Sequence, residues 1–230
     1  MHNRKAGIAF LALGAVLIIS ALLLLRSNTL QDRQAGEYSL DVLDGIQAAI
    51  AENSAAAATP QSQESPEPSE EPEDESGEMK TVTIDGNDYI GYLSIPELEL
   101  VLPVISDWGW DYNRLQIAPC RQQGSTKTDD IVIAAHNYDS HFGKLKDLSL
   151  WDSLSFTDVM GKCIQYELKK LETVDPHKVD YVLDSGYDLV LYTCTYGGEF
   201  RVVGFFRPYR GHHKKIRPGA AGSQDHPFFG

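Results

Sequence analysis

The first long segment of the chain lacks charge. About twenty residues, Ala6–Leu25, carry none, and a helix of that length crosses a bilayer at roughly 1.5 Å of rise per residue. The segment also lacks a small-x-small cleavage site in its final "LLLLRSN", which argues against a removable signal peptide. Because Arg4 and Lys5 precede it, we predict an uncleaved, single-pass anchor at 6–25, with residues 1–5 in the cytoplasm and the remainder outside the cell.

Basic residues are missing from a second segment. Between Gln61 and Met79 the chain has eight Asp and Glu, no Lys or Arg, and several Pro and Ser. Such a segment buries too little apolar surface to offset the entropy of ordering it, so we predict a disordered, self-repelling spacer. It supplies more than half of the net charge of −13. The acidity of the chain therefore says little about what its folded part binds, and we expect no nucleic-acid partner.

The remaining boundaries follow from composition. Between the anchor and the spacer, four apolar residues have near-helical spacing: Leu40, Leu43, Ile46 and Ile50. Residues 26–79 are therefore interpreted as a juxtamembrane helix followed by the acidic spacer, and a weakly structured segment in place of the helix stays open. The folded domain is predicted at 80–209, and a basic, Gly-rich, disordered tail at 210–230.

Cysteine is also scarce, with three residues in the chain. Cys120 and Cys163 could pair outside the cytoplasm, but two buried thiols are favoured. Metal-ligand patterns are missing too, since Asp129 and Asp130 lack the oxygen-ligand spacing of a calcium loop. We predict no metal and no cofactor.

The folded domain has no long amphipathic helix pattern and consists mainly of short apolar or alternating runs. Such runs at short spacing predict six to eight strands in an all-β barrel or sandwich. They are Tyr89–Ile95, Leu98–Ile105, Ile131–Ala135, "CIQYELKKLETV", "YDLVLYTC" and "FRVVGFF". The stretch "HFGKLKDLSLW" is interpreted as a short helix or turn. Trp108 and Trp110 are expected to pack in the core, with a peptide groove as the alternative.

The last two runs form a predicted hairpin. If Gly197 and Gly198 are the central pair of a two-residue turn, Cys194 lies opposite Arg201 on the same face. A neighbouring guanidinium favours thiolate and can donate to an oxyanion. The inference depends on register, because a slip by one residue would turn Arg201 to the other face.

Catalysis by this thiol and guanidinium would also need a general acid or base, and His136 is the candidate. It ends the run "IVIAAH", where a strand stops and a polar loop begins. A cysteine, a histidine and an arginine together can perform nucleophilic acyl transfer. Taken singly, each has an ordinary structural explanation, and the pattern alone leaves the Cys194–Arg201 pair near even odds of being catalytic. His141, in the same loop, is interpreted as a loop histidine.

Several of these segments together resemble the sortases of Gram-positive cell envelopes. The resemblance rests on "GYLSIPELELVLPV", "IAAHN", "DLVLYTC" and "RVV", in the expected order between Tyr89 and Phe206. It implies a closed eight-stranded β-barrel in which Cys194 is the nucleophile, His136 the acid/base and Arg201 the residue that aligns substrate and stabilises the oxyanion. Val190 stands where the family has its first Thr. The segment "HNYDSHFGKLKDL" resembles the class B pattern after the histidine, and the short Cys-to-Arg hairpin and compact N-terminal region resemble class D enzymes.

The resemblance also implies an activity and partners. Cys194 would cleave a C-terminal sorting signal of a secreted protein, and an amine from a peptidoglycan precursor or a pilin lysine would resolve the thioester. Asn137 and Tyr138 are interpreted as pocket residues beside His136, and Thr193 as a residue that orients the backbone at the nucleophile. The alternatives are a papain-like or peptidoglycan-processing cysteine hydrolase, and a non-enzymatic anchored β-domain.

Overall fold

A computed structural model describes residues 2–57, 77–107, 109 and 111–209 of the chain. Most of the predicted acidic spacer, the predicted tail at 210–230, and the two tryptophans Trp108 and Trp110 lie outside the described residues.

The described strands close into a barrel. Eight strands form a ring in the order β2-β3-β4-β5-β8-β9-β7-β6, and β6 returns to pair with β2. A ninth, β1, joins β2 as the first arm of a hairpin. The strands are β1 Val82–Ile84, β2 Asn87–Ile95, β3 Leu100–Ile105, β4 Cys120–Gln123, β5 Ile131–Ala134, β6 Ser153–Asp158, β7 Cys163–Val174, β8 Leu189–Cys194 and β9 Arg201–Pro208. The predicted closed eight-stranded barrel is therefore confirmed.

The apolar runs become strands because they are buried on one or both faces. In β5, Ile131 and Ile133 point into the barrel, while Val132 and Ala134 belong to two clusters on its outer surface. All four residues of β5 are buried. A strand covered on both faces needs a continuous apolar run, which is why this segment does not alternate.

One long helix and two short ones cover the outside of the barrel. They are α1 His2–Ala57, α2 Tyr112–Ile117 and α3 Val179–Leu183. Residues of α1 and α2 bury one outer cluster around Tyr89 and Ile105, and α3 covers the other. The short elements α2, α3 and β4 have no periodic signal long enough to be predicted from sequence.

The segment after the predicted anchor is helical and is continuous with it. The first half of α1 contains an exposed stretch, with mean hydropathy 2.3, that is long and apolar enough to cross a membrane. The second half packs on the barrel through a buried stripe at Ala35, Ser39, Val42, Leu43 and Ile46. The predicted stripe was partly wrong, because Leu40 is 64% exposed. It lies beside the contact face, and the small residues Ala35 and Ser39 occupy that face instead.

One local detail differs from the sequence prediction. Leu98 does not begin the second strand: it ends a 3-10 turn, Pro96–Leu98, and Glu99 has a positive φ of 56° before β3 starts. The "HFGKLKDLSLW" stretch, predicted as a short helix or turn, contains a short 3-10 turn, Leu145–Asp147.

The packing of α1 makes a prediction about stability. Ile46 is fully buried, so Ile46→Ala should lower the free energy of unfolding by about 2–5 kcal/mol through lost burial and the cavity left behind. Chemical denaturation of the full chain in detergent would measure this. The matched control is Leu40→Ala on the exposed face of the same helix, expected to change stability by less than about 0.5 kcal/mol. Equal effects of the two changes would contradict the docking of α1.

Candidate active site

The β8–β9 hairpin brings a thiol beside a guanidinium. Cys194 pairs directly with Arg201, as the sequence predicts. Beyond this pair, the Thr195 amide donates to the Phe200 carbonyl at 2.9 Å. Residues opposite each other in a ladder project to the same face, with Cβ atoms about 4.5–5.5 Å apart.

The turn that joins these strands is not the predicted one. Gly198 N donates to the Thr195 carbonyl at 2.8 Å, so the tight turn is centred on Tyr196 and Gly197. The connection is therefore a four-residue loop, 196–199. Gly197 and Gly198 both have positive φ, at 93° and 81°, a conformation that glycine adopts at little cost. The longer loop leaves one more residue of each strand unpaired at the turn, so the pairing of Cys194 with Arg201 is the same as for the predicted two-residue loop.

Cys194 and Arg201 lie on the outer surface of the barrel. Leu189 and Leu191 point into the barrel core, whereas Val190 and Tyr192 belong to the outer clusters. Since side chains alternate along a strand, Cys194 follows Tyr192 on the outer face. Cys194 and Arg201 are both half-buried.

Tyr192 lies next to this pair on the same outer face of β8. Its hydroxyl donates to Gln122 Oε1 at 2.9 Å. Burial raises the pKa of Tyr192 to about 12, and the nearby charge of Arg201 partly opposes that rise. The phenol therefore stays neutral and holds a fixed hydrogen bond at physiological pH.

The parallel pairing of β5 with β8 brings His136 to the same end of the barrel. Ala134 pairs with Tyr192, so His136 and Cys194 are each two residues beyond a matched pair. Two contacts carry the register past the strand ends: Ala135 N donates to the Tyr192 carbonyl at 3.1 Å, and Asn137 Nδ2 donates to the Thr195 carbonyl at 3.4 Å. By alternation, His136 belongs to the outer face, level with Cys194.

The imidazole of His136 is held by its immediate neighbours in sequence. Its Nδ1 lies 3.2 Å from Asn137 Oδ1, and its ring stacks on Tyr138 with 4.3 Å between ring centroids and 6° between planes. Asn137 and Tyr138, both predicted near this site, therefore contact His136 itself. Tyr138 is buried, so it supports the imidazole from behind.

Thr193, the residue before Cys194, points to the inner face of the barrel instead of the outer face. Its side chain is buried and donates to the Ala135 carbonyl at 2.9 Å. This bond joins the two strands immediately before the nucleophile and the histidine. Thr193 therefore lies next to the proposed nucleophile in sequence but does not face the site.

Arg201 is anchored by its own turn. One guanidinium nitrogen, Nη1, donates to the carbonyls of Gly198 at 2.9 Å and Phe200 at 3.1 Å. Within the part of the chain that the structure describes, no acidic side chain pairs with it. A positive charge that is not neutralised by a carboxylate, next to a thiol, is suited to hold a developing anion.

The other two thiols are free and separate. Burial raises the pKa of the Cys120 thiol to about 12, which keeps it protonated and unreactive. Cys163 is exposed at the start of β7, so the expectation of two buried thiols is correct for Cys120 and wrong for Cys163. Among the described residues, no group of three His, Cys, Asp or Glu is arranged to hold a metal ion.

Sequence reasoning missed the contact between α1 and the loop that follows His136. Asp32 accepts hydrogen bonds from the Ser140 amide and hydroxyl, both at 2.9 Å, through its carboxylate and its main-chain carbonyl respectively. Gln31 Oε1 accepts from the Tyr138 hydroxyl at 3.3 Å. These residues are polar and lie outside the apolar stripe, so periodicity gives no signal for them.

His141 lies in the loop after His136, as the sequence predicts, but it does not face solvent. It is fully buried, and neither ring nitrogen has a hydrogen bond of good geometry to a described residue. Burial lowers its pKa to about 4, the nearby His136 adds to the fall, and Asp32 and the main chain of Ile117 partly oppose it. His141 is therefore neutral at physiological pH.

The buried His141 predicts acid sensitivity. The unfolded chain takes up this proton near pH 6.5 and the folded chain only near pH 4, so its contribution to stability is complete above about pH 6.5. It is lost as the pH falls toward 4, by an amount on the order of 3 kcal/mol. Comparing unfolding free energies of the parent chain and His141→Phe across this range should show the parent losing more. Parallel profiles would contradict the assignment.

Comparisons with known proteins find a family model and solved structures that are similar to this chain. The family model for the sortase domain matches residues 93–205. Sortase C from Streptococcus pneumoniae is 20% identical, over 74% of this chain and 97% of its own, with a TM-score of 0.50. Sortase C1 from Streptococcus agalactiae is 23% identical over 56% and 72% of the two chains, with a TM-score of 0.46. Sortase C from Clostridium perfringens SM101 is 18% identical over 75% of this chain and 90% of its own, with a TM-score of 0.46. No curated protein matches the chain.

The matched range includes His136, Cys194 and Arg201. At 20% identity, the likeness to the Streptococcus pneumoniae enzyme shows the fold alone, and the class B- or D-like resemblance stays a prediction. The chain therefore carries a sortase domain, the domain of a family of cysteine transpeptidases.

Proposed function

We propose that the chain is a membrane-anchored sortase that cleaves a C-terminal sorting signal through a thioester on Cys194. The acyl part is then transferred to an amine of a peptidoglycan precursor or a pilin lysine. The observation that supports this most strongly is the pair of registers, Cys194 with Arg201 and Ala134 with Tyr192. Together they bring a thiol, an imidazole and an unneutralised guanidinium to one end of one face.

The first half-reaction forms the thioester. The Cys194 thiolate attacks the scissile carbonyl carbon, and the electron pair of the C=O bond moves onto oxygen. Arg201 stabilises that oxyanion. The tetrahedral intermediate collapses with cleavage of the C–N bond, and the His136 imidazolium donates its proton to the leaving amine.

The second half-reaction reverses these roles. The incoming amine attacks the thioester carbon, and neutral His136 accepts the proton that the amine loses. Collapse of the second intermediate breaks the C–S bond and restores the thiolate and the imidazolium. No metal or cofactor takes part in this scheme.

The neighbouring residues hold this geometry. Asn137 connects the His136 ring to the Thr195 carbonyl, so it fixes the imidazole relative to the nucleophile strand. Tyr138 sets the plane of the ring by stacking. Thr193 locks β8 onto the end of β5. Each therefore acts by positioning in this scheme.

The apolar first half of α1 supports the location that we propose. In this proposal residues 6–25 span the cell membrane of a Gram-positive bacterium, residues 1–5 are cytoplasmic and the domain at 80–209 faces the cell wall. Asp32 follows Leu25 by seven residues in one continuous helix, a rise of roughly 10 Å. The barrel end that contacts Asp32 would thus be held close to the outer membrane surface.

A hydrolase of the papain type is a weaker candidate. In that class a cysteine at a helix N-terminus precedes the histidine in sequence, whereas Cys194 ends a strand and follows His136. A non-enzymatic β-domain would not need these three side chains at one end of the barrel.

The acylation step can be tested directly. The full chain in detergent, incubated with a panel of sorting-signal peptides, should form an acyl adduct on Cys194 that mass spectrometry locates to that residue. Cys194→Ala should abolish the adduct, because no other described thiol lies beside Arg201. The matched control, Cys163→Ala, removes an exposed thiol and should leave acylation unchanged. No adduct with any peptide on folded protein would overturn the proposed transpeptidation.

The role of Arg201 makes a separate prediction. Arg201→Lys keeps a positive charge but loses the planar fork that donates to the turn carbonyls and to an oxyanion. We expect kcat/KM to fall about 100- to 1000-fold, with a melting temperature within a few degrees of the parent. Arg207→Lys, at an ion pair with Asp188 farther along β9, is the matched control. Similar activity of the two variants would exclude Arg201 from the reaction.

A further inference from the structure

The helix α1 contacts the loop that carries His136 as well as the apolar side of the barrel. Two successive residues make these contacts: Asp32 holds Ser140 at two points, both 2.9 Å, and Gln31 meets the Tyr138 hydroxyl. The approach is close, since a Cβ added at Gly36 would lie 3.3 Å from Ser140 Cβ. The Ser140 amide and hydroxyl are both used, so this end of the loop is held by backbone as well as side chain.

The contact at Ser140 can restrain His136 because hydrogen bonds close the loop between them tightly. The Tyr138 carbonyl accepts from the amides of His141 at 3.0 Å and Gly143 at 2.8 Å, and Phe142 N donates to the His136 carbonyl at 3.2 Å. A Cβ at Gly143 would lie 2.6 Å from the Asn137 carbonyl oxygen. So compact a loop has little freedom to move Ser140 without also moving His136.

The His136 ring depends on this support. Among the described residues its ring nitrogens have one hydrogen-bond partner, the Asn137 side chain at 3.2 Å, and no carboxylate orients the imidazole. The other restraint on the ring is the stack on Tyr138. Tyr138 is itself fixed between His136, His141 and Gln31.

We propose that Asp32 and Gln31 of α1 are positioning residues for His136, acting through Ser140 and Tyr138. Asp32 fixes the far end of the loop, and Gln31 fixes the ring on which the imidazole stacks. This inference rests on the proposed acid/base role of His136. It makes the helix that leads from the anchor part of the support for the active site.

The test uses the full chain in detergent and two readouts. The first needs no peptide: the pH profile of Cys194 alkylation by iodoacetamide, followed by mass spectrometry, which reports the coupling of the thiol to His136. The second is the rate of Cys194 acylation at saturating peptide, together with KM. Asp32→Ala should shift the alkylation profile and lower the acylation rate about ten- to a hundredfold, with KM within about twofold, because the acid is misplaced while the binding surface is kept.

Conservative variants separate positioning from folding. Asp32→Asn keeps an acceptor for the Ser140 amide and should retain most of the rate, whereas Asp32→Ala should not. Tyr138→Phe keeps the stack and loses only the bond to Gln31, so its loss should be small and match that of Gln31→Ala. Tyr138→Leu removes the stack and should lose as much as Asp32→Ala. Asp41→Ala, an exposed acidic residue on the same helix, is the matched control.

The outcomes distinguish this inference from the proposed function. If Asp32→Ala leaves both the alkylation profile and the rate unchanged, or if its loss only follows the fraction of unfolded chain, the positioning role is wrong. If the parent chain forms no adduct with any peptide but Asp32→Ala still shifts the alkylation profile, the transpeptidase proposal fails and the positioning of His136 stands.

Discussion

β5 and β8 lie side by side as parallel strands, and their register determines where His136 stands relative to Cys194. Both strands are buried on the two faces as far as Ala134 and Leu191. A slip by one residue would exchange the inward Ile133 and Leu191 for residues of the outer clusters. The cost of that exchange fixes the register, and the register brings Cys194 level with His136. The apolar core thus sets the geometry of a polar site.

The site lies where the cover on the outer face of the barrel ends. Along β8, Val190 is fully buried, whereas Tyr192 and Cys194 are both half-buried. This difference arises because the helices shield the middle of the sheet and leave the strand ends open. A thiol here is accessible to a peptide, unlike Cys120, whose burial holds its pKa near 12. The same fold therefore contains one thiol that is suited to react and one that is not.

The sequence predicted the parts that depend on alternation. The Cys194–Arg201 pair follows from counting outward from a glycine turn, and it survived an error in the turn because two- and four-residue loops preserve the same parity. The span of β7 was predicted correctly from its alternation, although its pairing with β9 shifts register between Leu168 and Lys170. The identity of the barrel needed more, since six to eight short strands fit both a barrel and a sandwich, and only the combination of motifs indicated a sortase.

What could not be predicted depends on contacts between distant segments that carry no period. Asp32 and Ser140 are 108 positions apart, and neither belongs to an apolar stripe. Leu40 fits the helical spacing but faces solvent, while Ala35 and Ser39 are buried. Small residues are selected at such a contact because they let the helix approach closely. His141 is a further case, since nothing in "NYDSHFG" distinguishes a buried histidine from an exposed one.

The same closeness explains why α1 and the barrel form one structural unit. A Cβ at Gly45 would lie 2.9 Å from Ile84 Cδ1, so the helix is pressed against β1 at one point and against the His136 loop at another. Val42 lies between these points and Ile46 directly follows Gly45, and the burial of both completes the outer cluster around Tyr89. Removing α1 would expose that cluster and free the loop at once. Because a helix is stiff over this length, one rigid element connects the exposed apolar half of α1 with the contact at Ser140 in the His136 loop.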